Sequence, residues 1–386
     1  MEPIPYAKQF IDEDDIEAVV KVLRSSHLTQ GSKVPEFEEL FSSYVDAAYG
    51  LAVSSGTAGL HLAVKALGLK AGDKVLTTSN TFVATANAVL FEKGQIDFVD
   101  IDPNTYLMDL DKLEAKLAHS RPGEFKGVIV VDFGGRPVDL ERLAKITHKY
   151  GLWIIEDACH ALGARFQDSH GVWQKTGNCK YADISVFSFH PVKHITSGEG
   201  GLITTNRKDL LDKMSLLRSH GITKDSASFT QESHGGWYYE MQELGYNYRL
   251  SDINCALAQS QLKKIDAFLA RRKLIAQFYN TQLKGLKNFF IADTNPRFEH
   301  SYHLYVARAN NRKALYDYLR ERNIFSQVLY IPVHQQPYYR QIHNWNEALP
   351  ETNKYYEVSL ALPMYATLKD EEMQLIVDSI KSFYRS

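Results

Sequence analysis

The chain has 386 residues, 44% of them hydrophobic and 23% charged, with a formal net charge of −2. That is enough length for two domains of roughly 150 residues each with sizeable cores, and so balanced a charge with no long basic run argues against a nucleic-acid surface. The three cysteines, Cys159, Cys179 and Cys255, make neither a disulfide framework nor a CxxC metal pair, the opening Met1-Glu2-Pro3-Ile4-Pro5-Tyr6 is not a signal peptide, and no stretch approaches the ~18 apolar residues of a membrane span, so a cytoplasmic enzyme or binding protein without a metal is expected.

Residues 50 to 205 alternate short apolar runs with helical patterns. Strands are predicted at Gly50 to Val53, Lys74 to Thr77, Ile96 to Val99, Gly127 to Val131, Leu152 to Ile155, Ile184 to Phe187 and Leu202 to Thr204. Helices fall at Thr57 to Leu67, Ala84 to Glu92 and Leu140 to Tyr150. This alternation predicts βαβ units and a mostly parallel sheet covered on both faces. A helix over Leu210 to Arg218 follows, then a polar stretch to about Gly236 and one long helix over Asn254 to Lys284. A smaller α/β unit closes the chain. It has a strand at Tyr302 to Ala307, a helix at Lys313 to Arg322, a Tyr/Pro-rich loop from Tyr330 to Tyr339, and a last helix from Asp370 to Tyr384. The domain boundary is placed at 250, giving a large domain over 1–250 and a small one over 251–386.

Open α/β sheets bind ligands beyond the carboxyl ends of their strands. After the first strand, Ser54-Ser55-Gly56-Thr57-Ala58-Gly59 opens a helix. Small residues let backbone N–H groups approach an anion there, though tight connections look the same. It matches neither GxxxxGK[ST] nor GxGxxG, against an ATP or NAD site. After Leu152 to Ile155 comes Glu156-Asp157-Ala158-Cys159-His160, whose acid suits a helix cap, a metal ligand or a partner for a protonated nitrogen. After Ile184 to Phe187 comes Ser188-Phe189-His190-Pro191-Val192-Lys193-His194, then the glycine-rich Gly198-Glu199-Gly200-Gly201. A loop lysine is usually a solvated charge. Held between two buried strands it loses solvation and becomes a nucleophile. Cup, amine and carboxylate together are what pyridoxal phosphate requires for its phosphate, aldehyde and pyridine nitrogen.

These segments, with Gly245-Tyr246-Asn247-Tyr248-Arg249-Leu250 and Leu28-Thr29-Gln30-Gly31, resemble the motifs of the DegT/DnrJ/EryC1/StrS sugar aminotransferases over nearly the whole chain. The resemblance implies a fold-type I aminotransferase: an α/β protein with a mostly parallel seven-stranded sheet, a smaller C-terminal α/β domain, bound pyridoxal phosphate, and homodimers with shared sites. It makes Lys193 the Schiff-base residue and proton carrier, Asp157 the partner of the pyridinium nitrogen, and His160 a neighbour of the ring and its phenolic oxygen. It makes Gly56, Thr57 and Ser188 phosphate ligands, joined by Asn247 of the second chain, and Phe82 the aromatic that stacks on the ring, where the residue alone would read as core.

Within the family the likeness leans toward members of pseudaminic acid biosynthesis, which aminate C4 of a UDP-linked 4-keto-6-deoxy-HexNAc of L-arabino configuration. Tyr6, Ser26, His27, Leu28, Thr29, Tyr330 and His334 then line the nucleotide-sugar pocket, although Tyr330 and His334 equally suit packing between domains. L-glutamate is the implied amino donor. Arg249 is the candidate for its carboxylate, the bland reading being a structural ion pair. Other readings stay open: a D-configured 4-amino or a 3-amino nucleotide-sugar transferase, a dehydratase of the kind in which histidine replaces the lysine, and a non-catalytic binding protein.

Overall fold

The computed structural model describes residues 2–291, 295–342 and 348–385. Its central sheet is built, in chain order, from β1 (Tyr49–Val53), β2 (Lys74–Thr78), β3 (Gln95–Val99), β4 (Phe125–Val131) and β5 (Trp153–Asp157). A short hairpin of β6 (Arg165–Gln167) and β7 (Trp173–Lys175) lies outside the sheet, which β8 (Ile184–Ser188) and β9 (Gly201–Thr205) complete. The spatial order is β1-β9-β8-β5-β4-β2-β3. From β3 to β8 the neighbours pair in parallel, while β9 runs antiparallel to both β8 and β1. The carboxyl ends of β1, β2, β4, β5 and β8 therefore share one edge. The chain steps outward from β2 to β3, then returns past β2 to β4, so the order reverses there and opens a crevice.

The strands are short apolar runs because both faces are covered. Ile129, Ile155, Val186 and Ile203 pack on one face with α3 (Gly56–Ala66) and α4 (Val83–Phe91), and Val128, Val130 and Ile154 pack on the other. Two earlier helices, α1 (Glu13–Leu23) and α2 (Lys33–Val45), escape the reading from periodicity. The first carries a capping box in which Asp12 and Asp15 exchange bonds with each other's backbone. Asp stands at the place where Glu or Gln is the usual signal.

The expected long helix is two helices, Asp252–Leu262 and Ile265–Gln282. The break falls at Lys264, whose ammonium reaches Asp12 and Asp15. That tertiary tie leaves no trace in the local pattern. The strand expected at Tyr302 to Ala307 starts later, at Tyr305–Ala309, and the Tyr/Pro-rich loop contains a 3₁₀ turn and a helix that starts at Pro337, a residue suited to a helix N1 position. The C-terminal part holds an antiparallel sheet of Phe289–Ile291, Tyr305–Ala309 and Ser359–Leu362. The N-terminus is stitched to it: Ile4 N–H donates to Asn323 O, Phe325 N–H to Ile4 O, and Met364 N–H to Tyr6 O.

Candidate active site

The strand exits surround a cavity of about 440 Å³. At the end of β1, Ser55 caps α3 by accepting from Ala58 N–H at 3.1 Å. The N–H groups of Gly56 and Thr57 remain among those that a helix start leaves for an outside partner, and the dipole there favours an anion. Glycine is needed for the close packing. A Cβ on Gly56 would lie 3.0 Å from Ser188 Cβ, and one on Gly201 would lie 2.8 Å from Gly56 N. Ser188, at the end of β8, completes this cup.

Asp157 ends β5 and is 5% exposed. Its two oxygens are fixed separately: Thr85 Oγ1 donates to Oδ2 at 2.7 Å and Cys159 N–H to Oδ1 at 3.2 Å. Lys193 sits in the cavity wall on a loop that folds back on itself, Lys193 N–H donating to His190 O, Ser197 N–H to Phe189 O and Phe189 N–H to Gly200 O. Burial holds its amine below the ordinary lysine range, opposed by the nearby charges of Cys159 and Asp157. A lysine of this kind has its lone pair more available for attack on a carbonyl.

His160 is buried, and loss of solvation, reinforced by the Lys193 and His194 charges, keeps its ring neutral. Gly134 N–H donates to Nδ1 at 3.3 Å, which assigns the ring proton to Nε2. That nitrogen meets the Tyr330 hydroxyl at 3.2 Å, so Tyr330 accepts from the histidine and keeps its own proton for the cavity. Tyr6 and Phe82 also line the space, with Phe82 5.7 Å from the Tyr330 ring and 53% exposed, at the surface and not in the core.

The cavity wall thus gathers Tyr6, Gly56, Thr57, Phe82, Asp157, His160, Ser188, Lys193 and Tyr330. It does not gather the remaining candidates. Ser26, His27, Leu28 and Thr29 lie exposed in the stretch after α1, with Ser26 Oγ against His27 Nδ1. Asn247 is exposed and bridges to Ser219, and Arg249 is half-buried. His334 is engaged by the chain itself: Nδ1 meets Ser79 Oγ at 2.7 Å and Nε2 meets Asn353 Oδ1 at 3.1 Å.

Two groups escaped the sequence reading. Thr85 anchors Asp157, and only the one-turn spacing of Thr81 and Thr85 hints at it. His303 also lines the cavity, its ring 4.5 Å from His160. It reads as part of a strand, but backbone bonds from Ser301 N–H to Gly135 O and Leu304 N–H to Gly134 O pin that segment against the β4 exit. No group of metal-ligating side chains occurs among the described residues.

A model of the DegT/DnrJ/EryC1/StrS aminotransferase family matches residues 9–381. The chain is 37% identical over 385 residues to the UDP-4-amino-4,6-dideoxy-N-acetyl-beta-L-altrosamine transaminase of Campylobacter jejuni, spanning 98% of this chain and 97% of that one. It is similar to the solved structure of PseC from Helicobacter pylori, an aminotransferase of pseudoaminic acid biosynthesis, with TM-score 0.90, 31% identity and 100% of each chain covered. It is also similar to Spr1654 from Streptococcus pneumoniae in a PMP form, with TM-score 0.90, 28% identity and 99% of each chain covered.

Proposed function

This chain belongs to the DegT/DnrJ/EryC1/StrS aminotransferase family and is a pyridoxal-phosphate-dependent sugar aminotransferase acting on nucleotide sugars, and from there we propose that its acceptor is C4 of a UDP-linked 4-keto-6-deoxy-HexNAc. The product is UDP-4-amino-4,6-dideoxy-N-acetyl-beta-L-altrosamine, of pseudaminic acid biosynthesis, with L-glutamate as amino donor. The observation that carries the choice is identity of 37% along essentially the whole length of a relative bearing that product's name.

The cavity fits the cofactor. A helix start crowded by glycine suits a phosphate, a doubly anchored carboxylate suits a protonated ring nitrogen, and a partly desolvated lysine suits an aldehyde. When bound, pyridoxal phosphate would supply the aldehyde carbon for the amine and the ring that draws electrons from the reacting carbon. The protein does the rest. Gly56, Thr57 and Ser188 hold the phosphate. Asp157, oriented by Thr85 and Cys159, keeps a proton on the ring nitrogen. Phe82 covers the ring. Lys193 Nζ is the attachment point and the base that lifts a proton from one carbon and returns it to another. His160 aims the Tyr330 hydroxyl, and Tyr330 with Tyr6 lies on the substrate side.

Asn247 and Arg249 belong, in this reading, to a neighbouring chain's site in a homodimer. Tyr246 and Tyr248 stack on each other at 4.9 Å beside His61, with Tyr246 donating to Glu92 and Tyr248 meeting His61 Nδ1. Asn247, between them, is left exposed. Trp237, 76% exposed, and Leu244 lie on the segment just before, an apolar surface of the sort that subunits cover. The same reading assigns Ser26, His27, Leu28 and Thr29 to the nucleotide-sugar side of the assembled site, while His334, spent on Ser79 and Asn353, steadies the loop that carries Tyr330.

The test is incubation of the amino form of the enzyme with UDP-, TDP- and GDP-4-keto-6-deoxy sugars, followed by NMR of the products. Preferred turnover of the UDP L-arabino-configured HexNAc is expected. Preference for the D-xylo epimer, or for a TDP or GDP sugar, replaces this acceptor with another member of the class.

A further inference from the structure

Directly behind Asp157 lies a second acidic pair that the chemistry above does not use. Asp132 follows β4 and Glu156 precedes Asp157 on β5, and both side chains are buried, at 0% and 1% exposure. Successive residues of a strand point to opposite faces, so Glu156 turns away from the cavity that Asp157 faces. One oxygen of each acid is satisfied: Asp132 Oδ1 accepts from Val138 N–H at 2.8 Å, and Glu156 Oε2 accepts from Gly177 N–H at 2.9 Å and from the Ser185 hydroxyl. The remaining oxygens, Asp132 Oδ2 and Glu156 Oε1, are buried without a donor from any other residue, yet the two side chains are within hydrogen-bonding reach of each other. Two ionised carboxylates have only acceptors to offer. Facing each other out of water they repel and lose solvation together, and a single proton between them removes both penalties.

We propose that Asp132 and Glu156 share one proton and act as a charge-setting pair for Asp157, so that three adjoining carboxyl groups hold two negative charges behind the cofactor's ring nitrogen. The proposal rests on the reading that Asp157 partners that nitrogen. Asp157 is joined to the pair through the backbone, Asp132 N–H donating to Asp157 O at 3.1 Å, and its charge reaches both acids. The buried Cys179 thiol also faces Glu156, and burial keeps it protonated. Burial, then mutual repulsion, holds the Asp132 carboxyl well above the ordinary aspartate range, and burial raises Glu156 in the same direction. The pair's net charge helps the ring nitrogen keep its proton, the state in which the ring draws electrons most strongly.

Infrared spectroscopy of the holoenzyme in D₂O at pH 8 tests the shared proton. Wild type should show a protonated-carboxyl C=O band that persists where ordinary carboxylates are ionised. Asp132→Asn and Glu156→Gln should each abolish it, because the new amide donates to the remaining carboxylate in the proton's place. If one of the two fails to fold, the other reads the same loss. Absence of the band in wild type, or its survival in either variant, overturns the proposal. The charge is tested by the pH titration of the cofactor's absorption. Each single variant keeps one negative charge in the pair and should keep the wild-type midpoint. Asp132→Asn combined with Glu156→Gln removes that charge and should move the midpoint to lower pH, and an unmoved midpoint overturns the coupling. Asp157→Asn separates the two ideas. If it leaves the cofactor's absorption unchanged, the assignment of Asp157 to the ring nitrogen has failed, while the infrared band still judges the pair.

Discussion

Thr85 Oγ1 stands 2.7 Å from Asp157 Oδ2, and Thr81 Oγ1 stands 2.8 Å behind Thr85. Thr85 has one hydroxyl proton, and the carboxylate takes it, so Thr81 must be the donor in the second bond. The pair forms a short relay that turns the carboxylate toward the cavity. Thr85→Val keeps the shape and removes the donor. A hydrogen bond to a charged group contributes about 1.5–3 kcal/mol, so turnover should fall roughly ten- to hundred-fold with the fold intact. Thr85→Ser should retain most of it. Equal loss in both variants, measured as kcat alongside circular dichroism, would show that packing matters and donation does not.

Lys193 should carry the cofactor. Borohydride reduction and peptide mapping are expected to place the pyridoxyl label on Lys193. A label on Lys175, Lys180 or Lys224 would remove the assignment.

Gly201 has backbone on every side: an added Cβ would lie 2.7 Å from Ser55 C and 2.8 Å from Phe187 O. Backbone cannot swing away, so Gly201→Ala should push the cup apart. An overpacked site of this kind typically costs about 1–3 kcal/mol. The thermal midpoint should drop and cofactor should be lost on dialysis. Gly236, where a Cβ meets nothing within 4 Å, is the control, and Gly236→Ala should behave as wild type. Retention of cofactor by Gly201→Ala would show that the cup is not the phosphate site.

Glu240 gathers the loop of residues 230–238 around it. Its carboxylate accepts from Thr230 N–H, Gln231 N–H and the Tyr238 hydroxyl. Burial alone would raise its titration, but these donors outweigh burial and bring it down to about 2. Its folded value lies below its unfolded value, so its contribution is fully present above roughly pH 5 and is lost as pH falls toward 2. The difference in thermal midpoint between wild type and Glu240→Gln should be flat from pH 8 to pH 5 and shrink below that. A difference that grows on acidification would reverse the sign and refute the account.

Asn247 should act across the dimer. Asn247→Asp sets a carboxylate against a phosphate dianion, and Lys193→Ala removes the attachment point, so both homodimers should be nearly inactive. Mixed under subunit exchange, they should regain activity, with at most about half of each heterodimer's sites working. No recovery from verified heterodimers means that each chain completes its own site.

The sheet was legible because a parallel strand buried on both faces is an unbroken apolar run with a turn at each end. The chemistry at the strand exits followed from that. Residues whose placement depends on distant partners were not legible. His303 sits in what reads as a strand and reaches the cavity only because Gly134 and Gly135 pin its neighbours. Tyr330 and His334, four apart in one loop, part company: Tyr330 lines the cavity, while His334 is spent on Ser79 and Asn353. Which of the two faced inward depended on contacts with Ser79, just past the end of β2, and with Asn353, which no local pattern encodes. Lys264, likewise, stands at the start of the second of two helices where one was expected, tied to Asp12 and Asp15 far back in the chain.

The stitch between Ile4 and Asn323–Phe325 has a consequence for the order in which the protein is made. Tyr6 reaches the cavity on a segment whose hydrogen-bond partners leave the ribosome more than three hundred residues later. The exits of β1, β5 and β8 can assemble while synthesis is under way, but this wall waits for the segment that brings Met364. Trimming the chain through Tyr6, or anchoring that segment elsewhere through a fusion, is therefore a change to the cavity wall, even though it looks like a change to a tail.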